Sequence, residues 1–183
     1  MSRRVAKMEK KGLIQVYTGN GKGKSTAAIG QAVRAAGHGF KVGFISFFKD
    51  PDVFGYGEYG SLEKLGVKTF LFARKHPHFY KELDTSDVCR QCAEGLEFIK
   101  ELFRDPSWDM LVLDEMNIAM RDGFLKEEDV LSLLDTKPAK LELVLTGRGV
   151  GQKIIEKADL VSEIREVKHP YSKGVKSRNG IEY

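Results

Sequence analysis

No stretch of this sequence approaches the roughly 18 consecutive apolar residues that a membrane-spanning helix needs. The opening MSRRVAKMEKKG is basic but has no apolar run behind it, which argues against a secretory leader. No membrane partner is expected, and a cytoplasmic location is. Cysteine is scarce: Cys89 and Cys92 form a single Cys-x-x-Cys, and no histidine pair at suitable spacing completes a four-ligand zinc site. Val88, Cys92, Leu96, Ile99 and Phe103 instead recur at three- and four-residue steps, which places Cys92 on the buried face of a helix. Excess charge is also missing from most of the chain. The formal net charge is +4, and residues 1–12 supply all of it, with five basic residues against one acid. The neutral remainder speaks against a nucleic-acid face. With no repeat, linker or low-complexity tract in 183 residues, the expected organisation is a basic arm over 1–12 and one domain over 13–183.

What the chain does have is YTGNGKGKSTAA, residues 17–28. Gly19, Gly21 and Gly23 let the backbone turn its amide groups inward, and Lys24, Ser25 and Thr26 follow at once. This is a cradle for anions. The usual phosphate signature is glycine, four residues, then Gly-Lys-Ser/Thr, and this chain has Thr18 at that first position, so the match is a variant. The short apolar run 13–17 leads into the loop, and STAAIGQAVRAAGHG reads as the helix after it. Further strands are expected over 40–48, 67–72, 108–115, 141–147 and 160–167. Helices are expected at SLEKLG, over 85–104 with Asp84 or Thr85 as cap, near 126–135 and around GQKIIEKA, while 49–60 and ARKHPHFYKELD read as loops. Strands alternating with helices predict an α/β fold, a parallel sheet flanked on both faces.

In such sheets ligands lie beyond the carboxyl ends of the strands, so acids after one strand can meet a loop after another. MLVL followed by Asp114 and Glu115 fits the acidic companion of a phosphate loop. Ser25 would then ligate Mg²⁺ (or Mn²⁺), with Asp114 and Glu115 beside the ion. Lys24 follows phosphate oxygens as a point charge. Arg148, between two glycines at the end of a strand, is either a further anion contact or an exposed turn residue. Phe70, Phe72, Phe79 and Tyr80 bracket the polar loop, as core or as lining for a flat apolar ligand. Lys168, His169, Lys173 and Lys176 fit a solvated basic face as well as they fit a ligand contact.

The segments YTGNGKGKSTAAIGQAVRAAGHG, VGFISFFK, VLDEMNIAM, LVLTGRG and ADLVSEIREVKHPYSKGVKSRNGIEY together resemble the P-loop ATP:cob(I)alamin adenosyltransferases, the corrinoid adenosyltransferases of the CobA/BtuR group. TGNGKGKS shares even the departure at Thr18. The resemblance implies a P-loop NTPase (RecA-like) fold and transfer of the 5′-deoxyadenosyl group of ATP to Co(I) of a reduced corrinoid, with release of triphosphate. ATP would lie reversed in the loop, presenting the ribose C5′ rather than the γ-phosphorus. Gly19, Asn20, Gly21, Lys22, Gly23, Lys24 and Ser25 correspond to the family's phosphate loop, with Thr26 beside it, and Glu115 to its metal-associated acid. Asp114 and Arg148 also fall on motif positions. The family implies a homodimer, a flavoprotein reductant and aromatic side chains that strip the corrinoid's lower axial ligand. The one tryptophan, Trp108, lies elsewhere, which leaves Phe79 and Tyr80 of HPHFYK for that task. The rival readings are a P-loop nucleoside kinase or an ATPase. Kinases of the thymidine type carry a four-cysteine zinc ribbon, for which two cysteines do not suffice.

Overall fold

The computed structural model describes residues 11–182. Most of the expected basic arm, residues 1–10, lies outside them. Six strands form one wholly parallel sheet: β1 (Ile14–Thr18), β2 (Val42–Phe47), β3 (Lys68–Phe72), β4 (Met110–Asp114), β5 (Glu142–Thr146) and β6 (Leu160–Glu163). Their spatial order is β3-β2-β4-β5-β1-β6. The helices are α1 (Lys24–Gly37), α2 (Pro51–Phe54), α3 (Gly57–Lys64), α4 (Thr85–Arg104), α5 (Met116–Arg121), α6 (Glu127–Asp135) and α7 (Gln152–Lys157). The α/β, P-loop NTPase class expected from the sequence is the one observed.

Strand periodicity divides the core in two, because successive side chains point to opposite faces. Val42 and Phe44 of β2, Met110 and Val112 of β4 and Val144 of β5 pack with Ala28, Ala32 and Ala35 of α1 and Leu62 of α3. The intervening residues, Ile45, Phe47, Leu111, Leu113, Leu143 and Leu145, face the other way. They meet Val88, Cys92, Leu96, Ile99 and Phe103 of α4 together with α6 and Ile154 of α7. The alanine row of α1 allows the helix that carries the phosphate loop to lie close against the sheet. Cys92 is fully buried, as its spacing predicts, and burial pushes its thiol up to about 12, so it is an inert core residue.

Three expectations change. The loop 49–60 holds α2 and the start of α3: Asp50 caps α2 by accepting from the Asp52 N–H at 3.3 Å, and Pro51 is its first residue. Residues 116–121 form α5, a short helix missed directly after the acids. The last strand ends at Glu163 rather than 167, and its residues are exposed, so the sheet is not covered on both faces at this edge. Beyond Glu163 the chain leaves the sheet and crosses the phosphate loop, where the Gly21 N–H donates to the Ile164 carbonyl at 2.7 Å. Asp84, not Thr85, caps α4, accepting from the Ser86 N–H at 2.9 Å. Among the described residues no helix is long and apolar enough to cross a membrane.

Candidate active site at the strand carboxyl ends

The phosphate loop is built by the end of β1 and the start of α1. Thr18 is still a strand residue, buried and paired with Glu163 of β6, and its carbonyl accepts from the Ile164 N–H at 2.8 Å. The turn begins one residue later, at Gly19, with φ of +96°. This accounts for the variant motif, since a residue held in a strand has no use for glycine's freedom. Gly23, at φ +127°, precedes the first helical residue, Lys24. Lys24 is buried, and its ammonium donates to the Gly19 and Gly21 carbonyls at 2.8 and 2.7 Å. Burial, and next the Arg148 charge, lower its pKa from the ordinary lysine value.

Across the sheet, β4 ends in Asp114 and Glu115. Asp114 is buried and accepts a 2.7 Å hydrogen bond from Thr146 Oγ1, which in turn accepts from the Glu115 N–H at 3.0 Å. Glu115 itself is left-handed, with φ of +61°, and sits at the start of α5. For a residue with a side chain this is an uncommon, strained conformation, of the kind that clusters at functional sites. It turns the carboxylate out of the sheet and into the crevice. Burial and then the adjacent Asp114 charge raise the Glu115 pKa, against the pull of Lys49, Lys24 and Arg148.

These pieces line one cavity of about 780 Å³. Gly21, Lys22, Gly23, Lys24, Ser25 and Thr26 form one wall, and Glu115 and the exposed Arg148 face it. Gly19 and Asn20 are not in the lining; Gly19 turns the chain behind it, and Asn20 is exposed. Asp114 lies beneath Glu115, orienting through Thr146. Of the two aromatics expected to contact the ring, Phe79 lines the cavity and is 75% exposed, while Tyr80 does not line it and stacks under Lys75. Phe70 and Phe72 pack against Phe98, on the core side. His169 joins the lining, and Lys168, Lys173 and Lys176 do not.

Sequence reasoning missed Lys49, Tyr56, Phe48, His76 and His78, which also line the cavity. Lys49 is hidden in a segment that reads as a loop, although it follows directly on the β2 run. His76 stands edge-on to Phe48 and Phe124, with ring centroids 4.8 and 5.3 Å away. Its Nδ1 accepts from the His78 N–H at 3.0 Å, so its Nε2 carries the proton and donates to Asp122 at 2.9 Å. Asp122 is held ionised below the usual carboxylate range, chiefly by Arg121 and to a lesser extent by His76. The polar loop is thus tied to the end of α5. A second tie joins Arg74 to Asp50 and Asp52 at the start of α2.

The donor set suits a hard divalent cation: a serine hydroxyl at the head of α1 and a carboxylate opposite it, both oxygens. Among the described residues no three His, Cys, Asp or Glu side chains converge into a metal cage.

A parallel sheet with a glycine-rich loop and buried lysine after one strand, and acids after a strand two positions away, defines a P-loop nucleotide-binding protein. Residues 10–183 match the family described as ATP:corrinoid adenosyltransferase BtuR/CobO/CobP, and the chain belongs to that family. It is 39% identical over 175 residues to the corrinoid adenosyltransferase of Escherichia coli K12, covering 96% of this chain and 87% of that protein. It is 40% identical over 177 residues to the corrinoid adenosyltransferase CobA of Salmonella typhimurium LT2, with the same coverage of both. The corrinoid adenosyltransferase of Pseudomonas aeruginosa is 33% identical over 175 residues, 96% of this chain and 85% of that one.

Proposed function

We infer that this protein is an ATP:corrinoid adenosyltransferase, a transferase that moves the 5′-deoxyadenosyl group of ATP to Co(I) of a reduced corrinoid of the cobalamin or cobinamide kind and releases triphosphate. The observation that carries the reading is one cavity holding the phosphate loop, the Glu115 carboxylate and an aromatic rim together. Co(I) in the substrate attacks the ribose C5′, the C5′–O bond breaks, and its electron pair leaves with the triphosphate. The protein then has two tasks. It holds C5′ and cobalt in line, and it stabilises the negative charge that grows on the leaving oxygen.

For the second task we assign Lys24 and the amides of Gly19, Asn20, Gly21, Lys22 and Gly23, with Thr26 and Arg148 reaching the same anion. Lys24 already spends its N–H groups on the loop's own carbonyls, so it is preset at the anion's place. Mg²⁺ or Mn²⁺ would be held by Ser25 and Glu115, with Asp114 behind, and would neutralise part of the triphosphate charge. For the first task the rim supplies Phe79, with Phe48, His76 and His78 beside it. About 780 Å³ suits a single nucleotide-sized ligand. The corrin ring therefore rests on the open side, against the exposed Phe79. Tyr80, which stacks under Lys75, takes no part in holding the ring.

At the level of the assembly, residues 13–183 act as one domain and 1–12 as a basic arm, the protein works as a homodimer, and a flavoprotein delivers the electron that makes Co(I). The reaction consumes ATP and needs a strong reductant, both of which belong to the cytoplasm. Incubation with MgATP and chemically reduced cobalamin is expected to yield a light-sensitive cobalt–carbon product and triphosphate in equal amounts. ADP or orthophosphate without an alkylated corrinoid would instead identify the kinase or ATPase reading.

A further inference from the structure

Lys49 stands at the carboxyl end of β2, with a side chain that is 19% exposed and turned into the cavity. Its nearest acid is Glu115, with Nζ 3.7 Å from Oε1, beyond hydrogen-bonding distance. The ring centroid of Tyr56 lies 5.2 Å from the ammonium. Among the described residues Lys49 donates no hydrogen bond. Burial alone would lower its pKa, but the Asp114 and Glu115 charges outweigh that, and the group is held above the ordinary lysine value. A largely buried ammonium with unspent donors is costly unless an acceptor arrives. Lys24, by contrast, is satisfied by its own loop.

Strand order adds a second constraint. β4, which carries the acids, lies between β2 and β1, so Lys49 and Lys24 approach the crevice from opposite sides of Glu115. Three strand spacings, about 14 Å, separate their strands, and a lysine stem reaching inward from each side spans most of that distance. Lys24, Lys49 and Arg148 gather around Glu115 and the underlying Asp114, while Glu58, also in the lining, adds its charge near Lys49. Once a divalent ion has taken over the Glu115 carboxylate, these three cations are left to a polyanion.

We propose that Lys49 is a second polyphosphate-binding lysine, held against Glu115 before nucleotide binds and passed to the triphosphate of bound nucleotide when a divalent cation replaces it there. The assignment rests on the reading of this cavity as a nucleotide site. It gives the leaving triphosphate an ammonium at each end. It also makes cation and nucleotide binding mutually supportive, since each removes the partner that would otherwise hold Lys49 or Glu115.

The test is paired titration of purified protein. Inorganic triphosphate is titrated by calorimetry, with Mg²⁺ present, into wild type, Lys49→Met and Lys24→Ala; Mn²⁺ without nucleotide is titrated by electron paramagnetic resonance into wild type and Lys49→Met. Loss of a charged hydrogen-bond donor should weaken triphosphate binding roughly 10- to 100-fold in Lys49→Met. Mn²⁺ binding should become severalfold tighter, because Glu115 loses its competing cation. Opposite changes for the two ligands are not what general damage to the fold produces. If Lys49→Met binds triphosphate as wild type does while Lys24→Ala does not, Lys49 is no phosphate ligand and the proposal falls alone. If wild type itself fails to bind triphosphate, the reading of the cavity falls and takes the proposal with it. Should Lys49→Met not fold, Lys49→Gln keeps a polar head in the same place without the charge, and its triphosphate affinity must show the same loss.

Discussion

Replacing Lys24 with alanine is expected to cut adenosyl transfer by about 10³-fold or more, the scale on which a preorganised charge facing a developing oxyanion contributes. The reason is the kind of work asked of the protein. Co(I) is nucleophilic enough to need no general base, and no Ser-His-Asp arrangement stands in the cavity among the described residues. What remains is to lower the energy of a departing triphosphate, and Lys24 is the buried cation fixed inside the loop that would hold it. The fold should survive. Only two loop carbonyls lose a donor, at a cost of about 1–2 kcal/mol, so the melting temperature drops by a few degrees at most. Steady-state kinetics beside a thermal melt separates the two effects, and unimpaired turnover would remove Lys24 from the mechanism.

Gly19→Ala is expected to damage both stability and nucleotide binding. At φ +96° a Cβ is strained whatever surrounds it, and here it would lie 2.4 Å from the Ile164 carbonyl oxygen and 2.8 Å from the Ile164 nitrogen. Those two groups hold the chain beyond β6 in place, through the Gly21 N–H and the Thr18 carbonyl respectively. An added methyl therefore strains the turn and breaks the crossing segment away. Strain of about 1–3 kcal/mol and two hydrogen bonds of about 1 kcal/mol each predict a fall in melting temperature of roughly 6–20 °C. Trypsin should also cut faster at Lys168 and Lys173, just beyond the crossing. An unchanged melt and digestion pattern would mean that the crossing segment does not depend on this turn.

Much of this site is legible in the chain alone, and the parts that are not share a cause. The phosphate loop and the acidic pair are legible because each is local: the glycines, Lys24 and Ser25 are contiguous, and so are Asp114 and Glu115 with the strand before them. The parallel sheet is legible because strands buried on both faces are nearly continuous apolar runs, as in β2. Lys49, His76 and Asp122 are not, because their significance lies in what the fold sets opposite them. Nothing near Lys49 in sequence announces Glu115, which lies 66 positions away and comes close only because β2 and β4 are neighbours in the sheet. The helices α2 and α5 are too short for periodicity to register, at four and six residues. The early end of β6 follows from a tertiary event, the chain's departure to cross the loop, while residues 164–167 still look like strand. Tyr80 misleads for the opposite reason: its neighbour Phe79 faces the cavity, and a turn sends the next residue away from it.

Which bond of ATP is broken decides between adenosyl and phosphoryl transfer, and an isotope reads it directly. ATP carrying ¹⁸O at the bridging position between C5′ and the α-phosphorus is turned over with reduced corrinoid, and the products are separated and weighed. Attack at C5′ sends the label out with the triphosphate and leaves the adenosyl group joined to cobalt through carbon. Label retained on the nucleoside side would mean that a phosphorus is attacked instead, and would contradict the roles assigned to the loop, the acids and the rim.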